Sequence, residues 1–153
     1  MALFAVLLFS IGIEAQADFG IKGGLNITFF KVAEADFGAN PETEVGFYGG
    51  VFADFNISNG FHIQPELLYI GLRDFRFLNA PIYLKYDINT DFQILVGPSL
   101  NYFFDFLVNK VKVRADLSLA YSLSTRIDLH MKYTIGFEEI SPNGLFLGLG
   151  YKL

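Results

Sequence analysis

Residues 110–137 read KVKVRADLSLAYSLSTRIDLHMKYTIGF, and for most of that length every second side chain is apolar. Val111, Val113, Ala115, Leu117, Leu119, Tyr121 and Leu123 alternate with Lys112, Arg114, Asp116, Ser118, Ala120 and Ser122. After a short break, Ile127, Leu129, Met131, Tyr133 and Ile135 alternate with Asp128, His130, Lys132 and Thr134. A period of two places successive side chains on opposite faces of an extended strand and is incompatible with a helix. The ribbon has one face without charge and one dense with charges of both signs. Which face meets water decides the class of protein.

The same alternation runs through the chain from Asp18 onward and divides it into eight strand-length units. Tight turns are expected at 58–60, 89–90 and 124–125, and longer, more charged connections at 31–44, 71–77, 106–110 and 138–144. Strands of about ten residues, joined by short turns at one end and longer loops at the other, fit tilted membrane-spanning strands. The predicted fold is an all-β, eight-stranded antiparallel up-and-down transmembrane β-barrel over 18–153. Pro65, Pro81 and Pro98 fall inside strands, where bulges or bends are expected because proline cannot donate to the ladder.

Composition discriminates between a lipid-facing and a core-facing apolar set. Of 153 residues, 52% are hydrophobic and 17% aromatic, with 18 Phe. The interior of an eight-stranded barrel is only just wide enough to be filled by side chains, so the apolar set cannot all point inward. The opposite set mixes charged residues with glycines, which a narrow lumen can accept. Aromatics fall into two groups: Phe55, Phe61, Phe92, Tyr86, Tyr121 and Tyr151 near the tight turns, and Phe29, Phe47, Tyr69, Tyr102, Phe104 and Phe137 near the longer loops. Two aromatic belts flanking an aliphatic band are expected at the two membrane interfaces.

The N-terminal MALFAVLLFSIGIEAQA has an apolar run followed by Ala15-Gln16-Ala17, a small-x-small pattern. Residues 1–17 are read as a Sec signal peptide. Export by Sec followed by insertion from the periplasm places the barrel in the cell outer membrane, with both termini periplasmic.

Several segments resemble the PorT-like outer-membrane β-barrel family of Bacteroidetes: GIKGGLN at 20–26, GFYGGVFADFNIS at 46–58, FHIQPELLYIG at 61–71, LNAPIYLKYDI at 78–88, ILVGPSLNYFF at 94–104 and the closing LGLGYKL. The resemblance implies an outer-membrane barrel, with gliding or type IX secretion components among the family's members. One departure is the last residue, Leu153, where such barrels often end in an aromatic; Tyr151 stands two positions earlier.

The chemistry expected inside is structural. Lys22, Asp54, Glu66, Lys85, Arg114, Asp116, Arg126, Asp128, His130 and Lys132 are placed in a lumenal polar network, with Asp18, Asp87, Lys112 and Lys152 on the same face. A three-residue connection at 123–125 would set Ser118 across from His130 and Asp116 across from Lys132, a Ser/His/Asp grouping reminiscent of hydrolases. The lipid-facing set carries no nucleophile for an arriving acyl chain, so no catalytic residue is assigned. Two histidines and no cysteine offer no convincing metal site, and no cofactor is expected. A net charge of −5 without a basic cluster argues against nucleic acid. The expected function is a non-enzymatic outer-membrane barrel with a closed polar lumen, monomeric, held by lipid, structural or binding an external or periplasmic protein through its loops. The alternatives are a soluble lipocalin-like carrier of an apolar ligand, and an accessory subunit of a secretion or gliding machine.

Overall fold

In a computed structural model the chain forms eight strands: β1 (Ala17–Phe29), β2 (Thr43–Ser58), β3 (Phe61–Gly71), β4 (Arg76–Asp87), β5 (Phe92–Phe103), β6 (Val111–Ser122), β7 (Ile127–Gly136) and β8 (Asn143–Lys152). The structure describes residues 17–29, 43–73, 75–104, 110–137 and 143–153. All but the last residue of the expected signal peptide, and most of the 31–44 connection, therefore lie outside the described residues. Each strand pairs antiparallel with its sequence neighbour, and β1 pairs with β8 to close the barrel. Closure leaves no sheet edge with unpaired backbone groups, a requirement wherever lipid surrounds the sheet.

The alternation read from the sequence decides which way each strand faces. In β6 the apolar positions are exposed or half-buried, and Lys112, Arg114, Asp116, Ser118 and Ala120 are buried. Most outward apolar side chains are exposed, up to 77% at Leu153, whereas Arg114 and Asp116 are 1% exposed. Such an inside-out distribution is destabilising in water and stabilising in hydrocarbon. At the turn end, Phe61 lies 4.8 Å from Tyr86 and Phe92 4.8 Å from Tyr121 between ring centroids, pairs that follow from their facing register. At the loop end Phe47, Tyr69, Tyr102, Phe104 and Phe137 are exposed and Phe29 is half-buried.

Four expectations are corrected. Strands β6 and β7 pair with Ser118 opposite Lys132, Asp116 opposite Thr134 and Ala120 opposite His130. That is two residues away from the expected register, because the turn spans 123–126 and is closed by Leu123 N–H donating to the Ile127 carbonyl at 2.9 Å. The connection between β3 and β4 is likewise no long loop: Leu72 N–H reaches the Phe75 carbonyl at 2.8 Å. The strand prolines produce no register shift. Pairing lapses between Pro65/Ile82 and Leu68/Asn79 and between Pro81/Ser99 and Leu84/Val96 and resumes in the same register, while Pro98 pairs with Ala115 within an unbroken β5–β6 alignment. The β2–β3 pairing instead shifts between Asn56 and Ser58, beside the turn where Gly60 takes a φ of 79°. Arg126, the fourth, belongs to the 123–126 turn and stands exposed at the rim of the lumen, not buried in its network.

The lumen fits large inward side chains against glycines on nearby strands. Phe52 pairs with Gly20, where an added Cβ would collide with its ring, and the Tyr48 hydroxyl occupies the space above Gly148. Small facing large is how a narrow barrel interior reaches close packing.

Candidate functional site: the barrel lumen

The inner face sorts into layers along the barrel axis. Nearest the turns, Asp54 on β2 takes the Lys85 ammonium of β4 at 2.5 Å on one oxygen and His62 Nδ1 of β3 at 2.7 Å on the other. His62 Nε2 lies 3.1 Å from Asp87, which is half-buried at the end of β4. Above this, Lys22 on β1 bonds Glu66 on β3, whose same oxygen accepts from Gln64 Nε2 at 2.7 Å. Beside them Tyr48 meets His130 Nε2, and His130 Nδ1 faces Asp128 at 3.2 Å two residues earlier on β7.

The next layer centres on Asp116. Its carboxylate accepts from Ser99 at 2.8 Å and lies 3.3 Å from both Tyr83 OH and the Lys132 ammonium. Lys132 also donates to Asn79 Oδ1 at 2.6 Å, Asn79 Nδ2 to Asn101 Oδ1 at 2.7 Å, and Arg114 to the same Asn101 oxygen at 2.6 Å. The network thus links β4, β5, β6 and β7. Charges held this far from water persist only with such partners, since a stranded buried charge costs several kcal/mol.

Near the loop end an apolar cluster fills much of the lumen, beside the buried Asn26, Thr28, Lys112 and Thr134. Tyr48, Leu68, Ile70, Leu72, Phe77, Phe103 and Phe146 form one buried apolar cluster drawn from β2, β3, β4, β5 and β8. Arg114 closes it from below, its guanidinium 5.1 Å from the Phe77 ring centroid and 5.5 Å from that of Phe103, and Lys132 lies 4.2 Å over Phe146. The opposite end is open: a cavity of about 550 Å³ reaches the turns. The interior is therefore neither closed nor polar throughout. It is a polar vestibule at the turn end, a charged middle, and an apolar stopper at the loop end.

Of the residues placed inside from sequence, Lys22, Asp54, Glu66, Lys85, Arg114, Asp116, His130 and Lys132 are buried, and Asp128 is half-buried. Lys112 is buried as well, Lys152 is half-buried, and Asp18 is exposed, 4.0 Å from Lys152. Ser118 and His130 are not brought opposite one another, and His130 is engaged by Tyr48 and Asp128 instead. The inward aromatics were not legible from sequence, neither Tyr48, Phe77, Phe103 and Phe146 as a stopper nor Phe52 as a wall of the vestibule. Their signal is the interruption of alternation, in Phe47-Tyr48, Val51-Phe52, Tyr102-Phe103-Phe104 and Leu145-Phe146-Leu147, where both faces are apolar at once.

No family model matches the chain. Among solved structures, it is similar to Neisserial surface protein A, NspA, with a TM-score of 0.61 and 14% identity over 90% of this chain and 97% of that one. It is similar to Ail, the attachment invasion locus protein of Yersinia pestis solved with the heparin analogue sucrose octasulfate, with a TM-score of 0.58 and 13% identity over 90% and 99%. De novo designed transmembrane β-barrels match with a TM-score of 0.58 and 16% identity over 88% and 95%. The fold is that of an eight-stranded transmembrane β-barrel. At these identities the likeness is one of fold: a closed eight-stranded barrel.

Proposed function

We propose that this transmembrane barrel is a non-enzymatic integral protein of the outer membrane, exported by Sec with cleavage after Ala17. The tight turns and both termini face the periplasm and the longer connections face outward. The observation that carries this reading is the uninterrupted apolar exterior with aromatic belts at both rims, enclosing buried Lys, Arg and Asp. Its role is structural, or it presents the acidic 31–44 connection, with Glu34, Asp36, Glu42 and Glu44, to an external protein. The PorT-like resemblance supports the outer-membrane assignment and adds an accessory role in a secretion or gliding machine as a second reading. A soluble carrier is disfavoured by the same exterior and by an interior that holds ion pairs where an apolar ligand would sit.

Fractionation of intact cells tests the reading. The mature chain should sediment with outer membrane and migrate faster on gels unheated than boiled. Solubility without detergent would replace it with the carrier. The chain has no native cysteine, so single cysteines at Ser124 and Glu34 give clean topology probes. An impermeant thiol reagent on whole cells should label the second and spare the first. Loss of a hydrolytic or acyl-transfer activity in Ser118→Ala would overturn the non-enzymatic assignment.

A further inference from the structure

The vestibule at the turn end has the size of a ligand site. Its volume of about 550 Å³ lies within the range of roughly 300–1,000 Å³ typical of small-molecule pockets. It opens between the 88–91 and 123–126 turns and runs inward to Lys22, Phe52 and Leu95. Lys22, Lys85, Arg126 and Lys152 line it, against Asp87, Asp91 and Asp128.

The two signs are almost balanced in number, and apart from Asp91 at the rim the carboxylates are engaged by partners inside the barrel. Asp128 is taken by His130 and Asp87 by His62, while the deeper Asp54 and Glu66 face Lys85 and Lys22. The cations keep donors in hand. An ammonium carries three N–H groups and a guanidinium five. Lys22 has one carboxylate partner and so does Lys85. Lys152 reaches Asp18 only at 4.0 Å, and the Arg126 guanidinium makes no ion pair among the described residues. Ser124 Oγ accepts from the Arg126 and Ile127 backbone N–H groups at 3.3 and 3.1 Å, which pins the turn that carries Arg126 at the mouth. Amides and hydroxyls of Gln64, Gln93 and Ser122 complete a hydrophilic wall.

We propose that this vestibule binds a small hydrophilic oxyanion: a carboxylate or phosphate on a polyhydroxylated body, of the size of an acidic or phosphorylated monosaccharide. Arg126 and Lys152 receive the anion at the mouth, and Lys22 and Lys85 face it from the floor. The apolar stopper makes the site accessible from the turn side alone. The inference goes beyond the proposed structural role and depends only on the interior of the folded barrel, whichever membrane holds it.

The test is titration calorimetry on the full folded chain in detergent, with glucose 6-phosphate, glucuronate and uncharged glucose as probes. One or both anions should bind at one per chain and glucose should not, the stronger of the two telling phosphate from carboxylate. Added salt should weaken binding. Arg126→Gln and Lys152→Gln, both at the mouth and outside the buried networks, should each weaken it about fivefold, the scale of one partly exposed charge contact. Asp91→Asn should leave it equal or tighter. Retained heat-modifiable migration confirms that each variant is folded. Binding of glucose as tight as the anions, undiminished binding in the Arg126→Gln/Lys152→Gln double variant, or no binding of either anion overturns the proposal.

Discussion

Single side chains in this barrel act through what they leave behind. Lys22 and Glu66 are both buried and bonded to each other. Replacing only Lys22 with Met strands the Glu66 carboxylate and should destabilise the fold by about 3–5 kcal/mol, whereas Lys22→Met with Glu66→Leu should recover most of that loss. Urea unfolding in lipid vesicles, followed by gel migration, measures both. Space is as restrictive as charge. An added Cβ at Gly97 on β5 would press on the Ile82 carbonyl and the Tyr83 backbone of β4, so that a strand must move. At Gly49, on the outward face, the nearest atom is the Lys22 carbonyl at 3.7 Å, ordinary contact. Gly97→Ala should therefore cost about 1–3 kcal/mol in the same assay, and Gly49→Ala should be close to neutral. The alternation marked both glycines only by the face they occupy; how near the next backbone passes is a tertiary distance.

At the scale of the strand, alternation predicted the direction of almost every side chain and failed where the ends had to be located. Strand polarity was legible in β6 and β7 because Lys112, Arg114, Asp116 and Lys132 have only one face that can hold them. The β6–β7 register was not, because a turn of either length keeps the charges inside: moving by two residues preserves the face and changes the partner. That is why Ser118 meets Lys132 and not His130. Arg126 was placed too deep for the same reason, since the longer turn carried it to the rim. The prolines preserve register although pairing lapses beside them, because the gap is the same length on both strands and no residue is inserted. The outward face of a strand yields a prediction graded by depth. Leu117→Arg, in the middle of β6, should cost about 2–4 kcal/mol and lower the yield of folding into vesicles, while Leu123→Arg at the turn should cost about 0–1 kcal/mol.

The whole molecule shows properties that belong to no strand. The apolar stopper gathers side chains from β2, β3, β4, β5 and β8, distant in sequence and adjacent only after closure. Planar-bilayer recordings of the intact barrel should show no stepwise conductance. Phe77→Ala/Phe103→Ala removes the two rings stacked at 4.6 Å under which Arg114 rests, and should lower stability by about 3–5 kcal/mol per ring. Stepwise conductance in the unaltered protein would show that the stopper does not seal. The vestibule arises in the same way, from Lys22, Lys85, Arg126 and Lys152 meeting across a lumen whose width is set by strand number and tilt.

The amino-acid order by itself determined the strand count, the antiparallel hairpin path and the lipid-facing side, because a period of two is a local property and an apolar set too large for the lumen has to face outward. Tertiary structure alone decided which buried charges pair, where the lumen is stopped and where it stays open. Those outcomes depend on register across closed ladders and on side chains meeting through the barrel axis, and two neighbouring registers can share one hydrophobic pattern while bringing different atoms together.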